Sequence, residues 1–188
     1  GSTAGEHLRL RKLEEYTVMK IDALGMDDNQ VEKLQVLKNV NEGLFIISGP
    51  EGSGVTSTMY AVLRNHDPFM NNINTLEKKP AATLPNITQH TYKLGEGQES
   101  FARRLQSILR MGPDIMAVGD CDDADTAKVA TKSSLDGKIT HVSLKGESVI
   151  EALGKWLKMA GERDKIANAL IGISNQRLVR VLCDECKE

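Results

Sequence analysis

The sequence predicts an α/β domain built on a mainly parallel sheet with helices on both faces. Three observations carry that expectation. Short apolar runs at residues 44–48 (LFIIS) and 114–118 (DIMAV), and a strand segment at 138–144, alternate along the chain with helical segments. A glycine-rich turn, GPEGSGVTST at residues 49–58, joins the first of these runs directly to a helix. With 40% hydrophobic residues but only 4% aromatics, the core of this 188-residue chain has to be filled mostly by Leu, Ile, Val, Ala and Met.

The elements follow in order. Residues 7–13 (HLRLRKL) alternate apolar and charged side chains, which predicts a half-buried strand, and residues 14–25 form a charged connector. Val31, Leu34, Leu37 and Val40 recur at three-residue steps, so a helix is expected there, capped by Asp27 or Asp28. Gly43 ends it, a buried strand covers 44–48, and a helix runs from 56 to 64 after the glycine turn. Residues 65–74 are polar and contain Asp67-Pro68, which reads as a loop. Short strands are expected at 73–76 and 87–92, on either side of a loop at 78–85. Residues 99–111 form an amphipathic helix with Phe101, Leu105, Ile108 and Leu109 on one stripe. Gly112-Pro113 stops that helix before the strand 114–118. A helix at 123–135, a strand at 138–144, a helix at 149–159 and a last helix at 165–174 complete the series.

Charge and composition exclude several classes of function. Lys and Arg number 24 against 26 Asp and Glu, a net charge of −2, so nothing favours a nucleic-acid surface or direct membrane insertion. No apolar run approaches the ~20 residues of a membrane span, and nothing resembles a signal peptide. Cys121, Cys183 and Cys186 make no disulfide framework, and the chain reads as cytoplasmic. His7, His66, His90 and His141 are scattered and read as ordinary strand or loop residues. The opening Gly1-Ser2 reads as a cloning scar, and the ending CDECKE suggests a fragment of something longer.

The loop 49–54 has the surroundings of a phosphate cradle: buried strand before it, helix after it. The amides of Gly52, Ser53 and Gly54 are placed to form an anion nest at a helix N-terminus. Val55 stands where such a loop carries its lysine. The loop by itself is equally compatible with a strand-to-helix turn that binds nothing.

The rest of the chain resembles the motor domain of the type II secretion and type IV pilus-assembly ATPases, a family of hexameric P-loop motors. The family's GPTGSGKTTT stands here as GPEGSGVTST. Its FARALRxxLRxDPDxxxxGExRD stands as Phe101 to Arg110, Pro113-Asp114 and Gly119 to Asp123. Its TAxxAxxAALTGH stands as TAKVATKSSLDGK at 126–138, and its AQRLVRxLCxxCK as NQRLVRVLCDECK at 175–187. GEHLRLRKL resembles the strand by which the family's preceding domain enters the motor. The resemblance implies a P-loop NTPase fold with a RecA-like sheet. It divides the chain into a linker (1–25), a degenerate motor domain (26–182) and the start of a truncated zinc module (183–188).

The departures from the family fall on the chemistry. The resemblance places Gly49, Gly52, Ser53, Gly54, Val55, Thr56 and Ser57 at nucleotide-binding positions, with Val55 for the lysine and Glu51 for a threonine. The family's TxEDPxE becomes Thr75 to Ala81: Glu77 remains, Lys78 replaces an acid, and Ala81 replaces the glutamate that activates water. Its GExRD becomes Gly119 to Asp123, so Asp120 is a shortened strand-end acid (the Walker B remnant) and Asp122 replaces an arginine. Its STLHTND becomes Val142 to Ser148, with Lys145 for the histidine. A stand-in role for Lys145 at the loop is the less favoured reading, because the position belongs to a different strand end. Asp120, Asp122, Asp123 and Asp125 read as a solvated loop and helix cap rather than a metal site.

Cys183 and Cys186 match the first half of the family's four-cysteine zinc module, with a redox CxxC as the alternative; two thiolates do not complete a tetrahedral site. Loss of one electrostatic stabiliser costs ~10²–10³ in rate. The expectation is therefore a pseudo-ATPase with a structural or regulatory role. The alternatives are a slow ATPase that uses Lys145, Lys78 or a neighbour's arginines, and a nucleotide sensor that does not hydrolyse. No bound cofactor is expected beyond weak ATP with Mg²⁺, and zinc only in a longer chain. The implied partners are other subunits of a secretion or pilus-assembly machine, including an active ATPase paralogue. The implied location is the cytoplasm, at the inner membrane through partner proteins.

Overall fold

The computed structural model describes residues 19–93 and 99–182. The strand expected at 7–13 and the cysteines Cys183 and Cys186 lie outside the described residues. The fold is organised by one six-stranded sheet in the order β3-β2-β4-β5-β1-β6, with every adjacent pair parallel. The strands are β1 (Gly43–Gly49), β2 (Ile73–Glu77), β3 (Thr88–Thr91), β4 (Ile115–Val118), β5 (Ile139–Lys145) and β6 (Leu170–Asn175). The helices are α1 (Asp28–Gln35), α2 (Val55–Leu63), α3 (Phe101–Leu109), α4 (Ala124–Leu135), α5 (Val149–Ala160) and α6 (Arg163–Ala169). The mainly parallel α/β class expected from the sequence is confirmed.

Strand alternation sorts the core into two layers. Leu44 and Ile46 of β1, Met116 and Val118 of β4, and Val142 and Leu144 of β5 join α3, α4, α5 and α6 on one face. Phe45 and Ile47, Ile115 and Ala117, and Ile139 join α1 and α2 on the other. β1 is buried along its whole length, whereas the edge strand β3, of sequence TQHT, is polar and partly exposed. That contrast is what burial on both faces demands at the centre of a parallel sheet and relaxes at its rim. The short turn Ile21–Ala23 adds the buried Ile21 to the α1 and α2 layer. No described helix is long and apolar enough to cross a membrane.

One element differs from the sequence reading. The helix expected over 165–174 ends at Ala169, and Leu170–Asn175 is the edge strand β6. Local periodicity runs on through IANAL, but β1 offers a free edge, and the β-branched Ile171 and Ile173 suit it. Gly172 has a positional reason. A Cβ there would sit 3.0 Å from the Phe45 ring, so any larger residue would have to push that ring aside.

The layer facing α2 also holds two histidines that the sequence keeps far apart. The rings of His66 and His141 are 5.6 Å apart, both residues are buried, and Phe45 meets His141 edge-on. Neither ring nitrogen of His141 has a hydrogen-bond partner, nor does Nε2 of His66. Burial holds His66 down at about 4, and burial together with His66 holds His141 down at about 3, against an ordinary 6.5. Both are neutral in the folded chain where an unfolded chain takes up protons. Stability is therefore full above the unfolded value and falls with acidification, by about 1.4 kcal/mol per pH unit for each histidine. Urea unfolding followed through Trp156, the single tryptophan and fully buried, should show a falling midpoint between about pH 7 and about pH 5. His141→Leu should flatten that fall. A midpoint independent of pH in the wild-type chain contradicts the account.

Candidate functional site

Because every strand pair is parallel, the carboxyl ends of β1, β2, β4 and β5 open onto one edge of the sheet. That edge gathers the glycine loop, Glu77, Asp120 and Lys145 from four distant stretches of sequence. The loop leaves β1 at Gly49 and enters α2 at Val55, one residue before the expected start. Gly52 and Gly54 take left-handed φ angles of +78° and +83°, which only glycine adopts freely. Gly49 is fixed by crowding: a Cβ there would collide with Ser53 Oγ and lie 2.6 Å from the Gln176 carbonyl. No side chain caps α2 at Gly54, so the first-turn amides, including those of Thr56 and Ser57, face the mouth of the loop. Ser53 is only 5% exposed, and its Oγ has no partner. Val55 is half-buried and packs into the α2 layer.

The far end of the chain braces the loop. The Gln176 N–H donates to the Ser48 carbonyl at 2.9 Å, and its side-chain amide donates to the Ser53 carbonyl at 2.9 Å. Asn175 Nδ2 donates to Ser48 Oγ at 3.0 Å and to the Gly146 carbonyl at 2.9 Å. Arg177 reaches Glu147 at 2.7 Å. Sequence reasoning assigned no role to Asn175 or Gln176. Only the string NQRLVR marked them.

At the end of β2, Glu77 is 4% exposed and already occupied. The Tyr60 hydroxyl donates to its Oε2 at 2.7 Å, and Thr75 Oγ1 donates to its Oε1 at 2.8 Å. The Ala81 N–H in turn donates to the Tyr60 oxygen at 3.0 Å. Burial, with the Glu77 carboxylate beside it, pushes the Tyr60 phenol well above its ordinary value. At the end of β4, Asp120 takes a left-handed φ of +50°, and its N–H donates to Ser143 Oγ. Its exposed side chain lines a cavity of about 540 Å³ with Lys78, Lys145, Lys155 and Lys158, beside Leu144 and Met159 of the α5 layer. Asp123 accepts from the Thr126 N–H and caps α4. Burial, chiefly, pushes the Cys121 thiol up to about 12, so it is no ready nucleophile. Among the described residues no three His, Cys, Asp or Glu are grouped to hold a metal ion.

A family profile described as "Type II/IV secretion system protein" matches residues 2–188. The chain belongs to that family. Type II secretion system protein E of Dickeya dadantii is 35% identical over 188 residues, covering 100% of this chain and 38% of the relative. The type IV pilus assembly ATPase PilB of Thermus thermophilus is 33% identical over 184 residues, covering 97% of this chain and 21% of the relative. The chain thus spans well under half the length of these relatives. Among solved structures, the pilus retraction motor PilT with bound ADP superposes with a TM-score of 0.72 at 23% identity, over 86% of this chain and 49% of that one. The ATPase DotB of Legionella pneumophila gives 0.70 at 21% identity, over 87% and 47%. These likenesses establish the P-loop ATPase fold.

Within this family member, charged side chains on this edge meet in pairs. Lys78 Nζ lies 2.6 Å from Asp122 Oδ2, so a base just past β2 contacts an acid just past β4. Lys145 Nζ lies 3.3 Å from Glu51 Oε2, joining the end of β5 to the glycine loop. The strand end that carries Lys145 is not remote from the loop. β5 is the direct neighbour of β1, with Lys145 in register with Gly49.

These contacts should differ in weight. Tyr60→Phe leaves the buried Glu77 short of one donor and the Ala81 amide short of its acceptor, which should cost about 1–3 kcal/mol in urea unfolding. Lys78→Ala breaks an exposed ion pair and should cost at most about 1 kcal/mol. Equal losses from the two changes would contradict this reading of the site.

Proposed function

We propose that this chain is a secretion-ATPase-like domain that does not hydrolyse ATP, serving a structural or regulatory role in a type II secretion or type IV pilus-assembly platform. The carrying observation is the environment of Ala81. Where phosphoryl transfer needs a carboxylate to orient water, this position offers a methyl group and an amide bonded to Tyr60. Glu77, the surviving acid of the same box, is 4% exposed and already accepts from two hydroxyls. The loop lacks a cation of its own at Val55. The two ion pairs balance the altered charges without any ligand. A domain of this kind keeps the sheet and helices through which a motor contacts its neighbours and gives up turnover. Its partners are then other subunits of the machine, with an active ATPase paralogue supplying the work.

Restoring the loop tests the proposal. Val55→Lys with Glu51→Thr should improve ATP binding, because Thr56 and the loop amides are in place apart from that of Ser53, which already donates to the Pro50 carbonyl, yet phosphate release should stay at background. Turnover recovered by those two changes alone, or measurable release by the wild-type chain, would favour the slow-ATPase reading.

A further inference from the structure

We propose that Lys145 is the cation of the glycine loop, delivered from the neighbouring strand, and that Glu51 is its built-in competitor for the phosphate chain of a bound anion. This holds whether or not the chain hydrolyses anything, since it concerns only how phosphate is held.

Three features of the site support it. The first is position. Lys145 sits in register with Gly49, and the Gly146 N–H donates to the Gly49 carbonyl at 3.3 Å. Lys155 Nζ donates to the Lys145 carbonyl at 3.0 Å, so the backbone that carries Lys145 is held from both sides. Its ammonium, 3.3 Å from the Glu51 carboxylate, is already at the mouth of the loop. The second is an unfilled polar position inside the loop. Ser53 Oγ is buried without a partner, in a loop whose Ser53 carbonyl is clasped by the Gln176 amide nitrogen. A buried hydroxyl left unbonded is costly, and an anion oxygen seated over the loop would accept from it. The third is lability. The Lys145 and Glu51 side chains are 67% and 87% exposed, so their pairing is weak and can be exchanged.

An incoming phosphate therefore competes with a carboxylate carried by the loop itself. The ammonium moves from Glu51 to phosphate, and Glu51 is left facing an anion. The result is a loop that holds phosphate weakly in the wild type and more tightly once Glu51 is neutral. Val55 leaves room for this arrangement, because no second cation rises from α2.

The experiment is titration calorimetry of the whole chain with two probes, ATP and inorganic tripolyphosphate. Glu51→Gln should tighten both by about tenfold, the scale of one charge-assisted hydrogen bond. Adding Lys145→Gln should abolish that gain, and Lys145→Arg in the same background should keep it. Both sites are exposed, and circular dichroism should show each variant folded. Unchanged affinity in Glu51→Gln, or no binding of either probe by it, overturns the proposal. So does a gain that survives Lys145→Gln, or one confined to ATP, which would assign the gain to the nucleoside rather than the phosphates. Phosphate release plays no part in these readouts, so failure here leaves the question of hydrolysis to its own assay.

Discussion

β1 has both of its hydrogen-bonding edges taken, by β5 on one side and by β6 on the other, and the arrangement of the functional edge depends on that constraint. A parallel strand in the middle of a sheet must be apolar on both faces, which is why residues 43–49 are buried throughout. It must also release the chain at the same end as its neighbours. The glycine loop, Lys145 and the β6 brace are consequently brought together by backbone pairing alone, before any side chain is chosen. The crossover through α2 then carries the chain past β5 and β4 to β2, bringing Glu77 to the same edge.

Two pairs of charges on that edge are matched within the chain. The loop carries an acid, the adjoining strand end carries a base, and the two meet. The same holds for Lys78 and Asp122. Two exposed pairs contribute little to stability. Their effect is on the field at the mouth of the loop, where cation and anion largely cancel and neither sign dominates. A site built to grip a polyanion would leave its cations unmatched. The buried part of the edge, Glu77 with Tyr60 and Thr75, is bonded internally and serves as framework.

Much of this was legible in the sequence, for identifiable reasons. Strands such as 44–48 and 115–118 are short, apolar and bounded by Gly or Pro, so their length and punctuation decide the element. The α3 stripe of Phe101, Leu105 and Ile108 is unambiguous at helical spacing, and all three are buried. β6 was misread because Leu170 to Ser174 fits either period and only the free edge of β1 decides. The contact of His66 with His141 left no trace in the sequence, because nothing local links a residue after α2 to the middle of β5. The pairing of Lys145 with Glu51 was hidden for the same reason. Each substitution looked like a loss on its own strand, and only the strand order β5-β1 makes them neighbours.

The brace from Asn175 and Gln176 ties the shape of the loop to residues synthesised long after it. Ser48 and Asn175 are 127 positions apart, a span that makes their contact slow to find in a folding chain. During translation β1 emerges as an apolar strand with no partner for either edge, and it stays so until β5 and finally β6 follow. Unpaired edges of that kind recruit other chains. The loop therefore sets late, and the hazard of synthesis lies in the interval between Gly43 and Asn175.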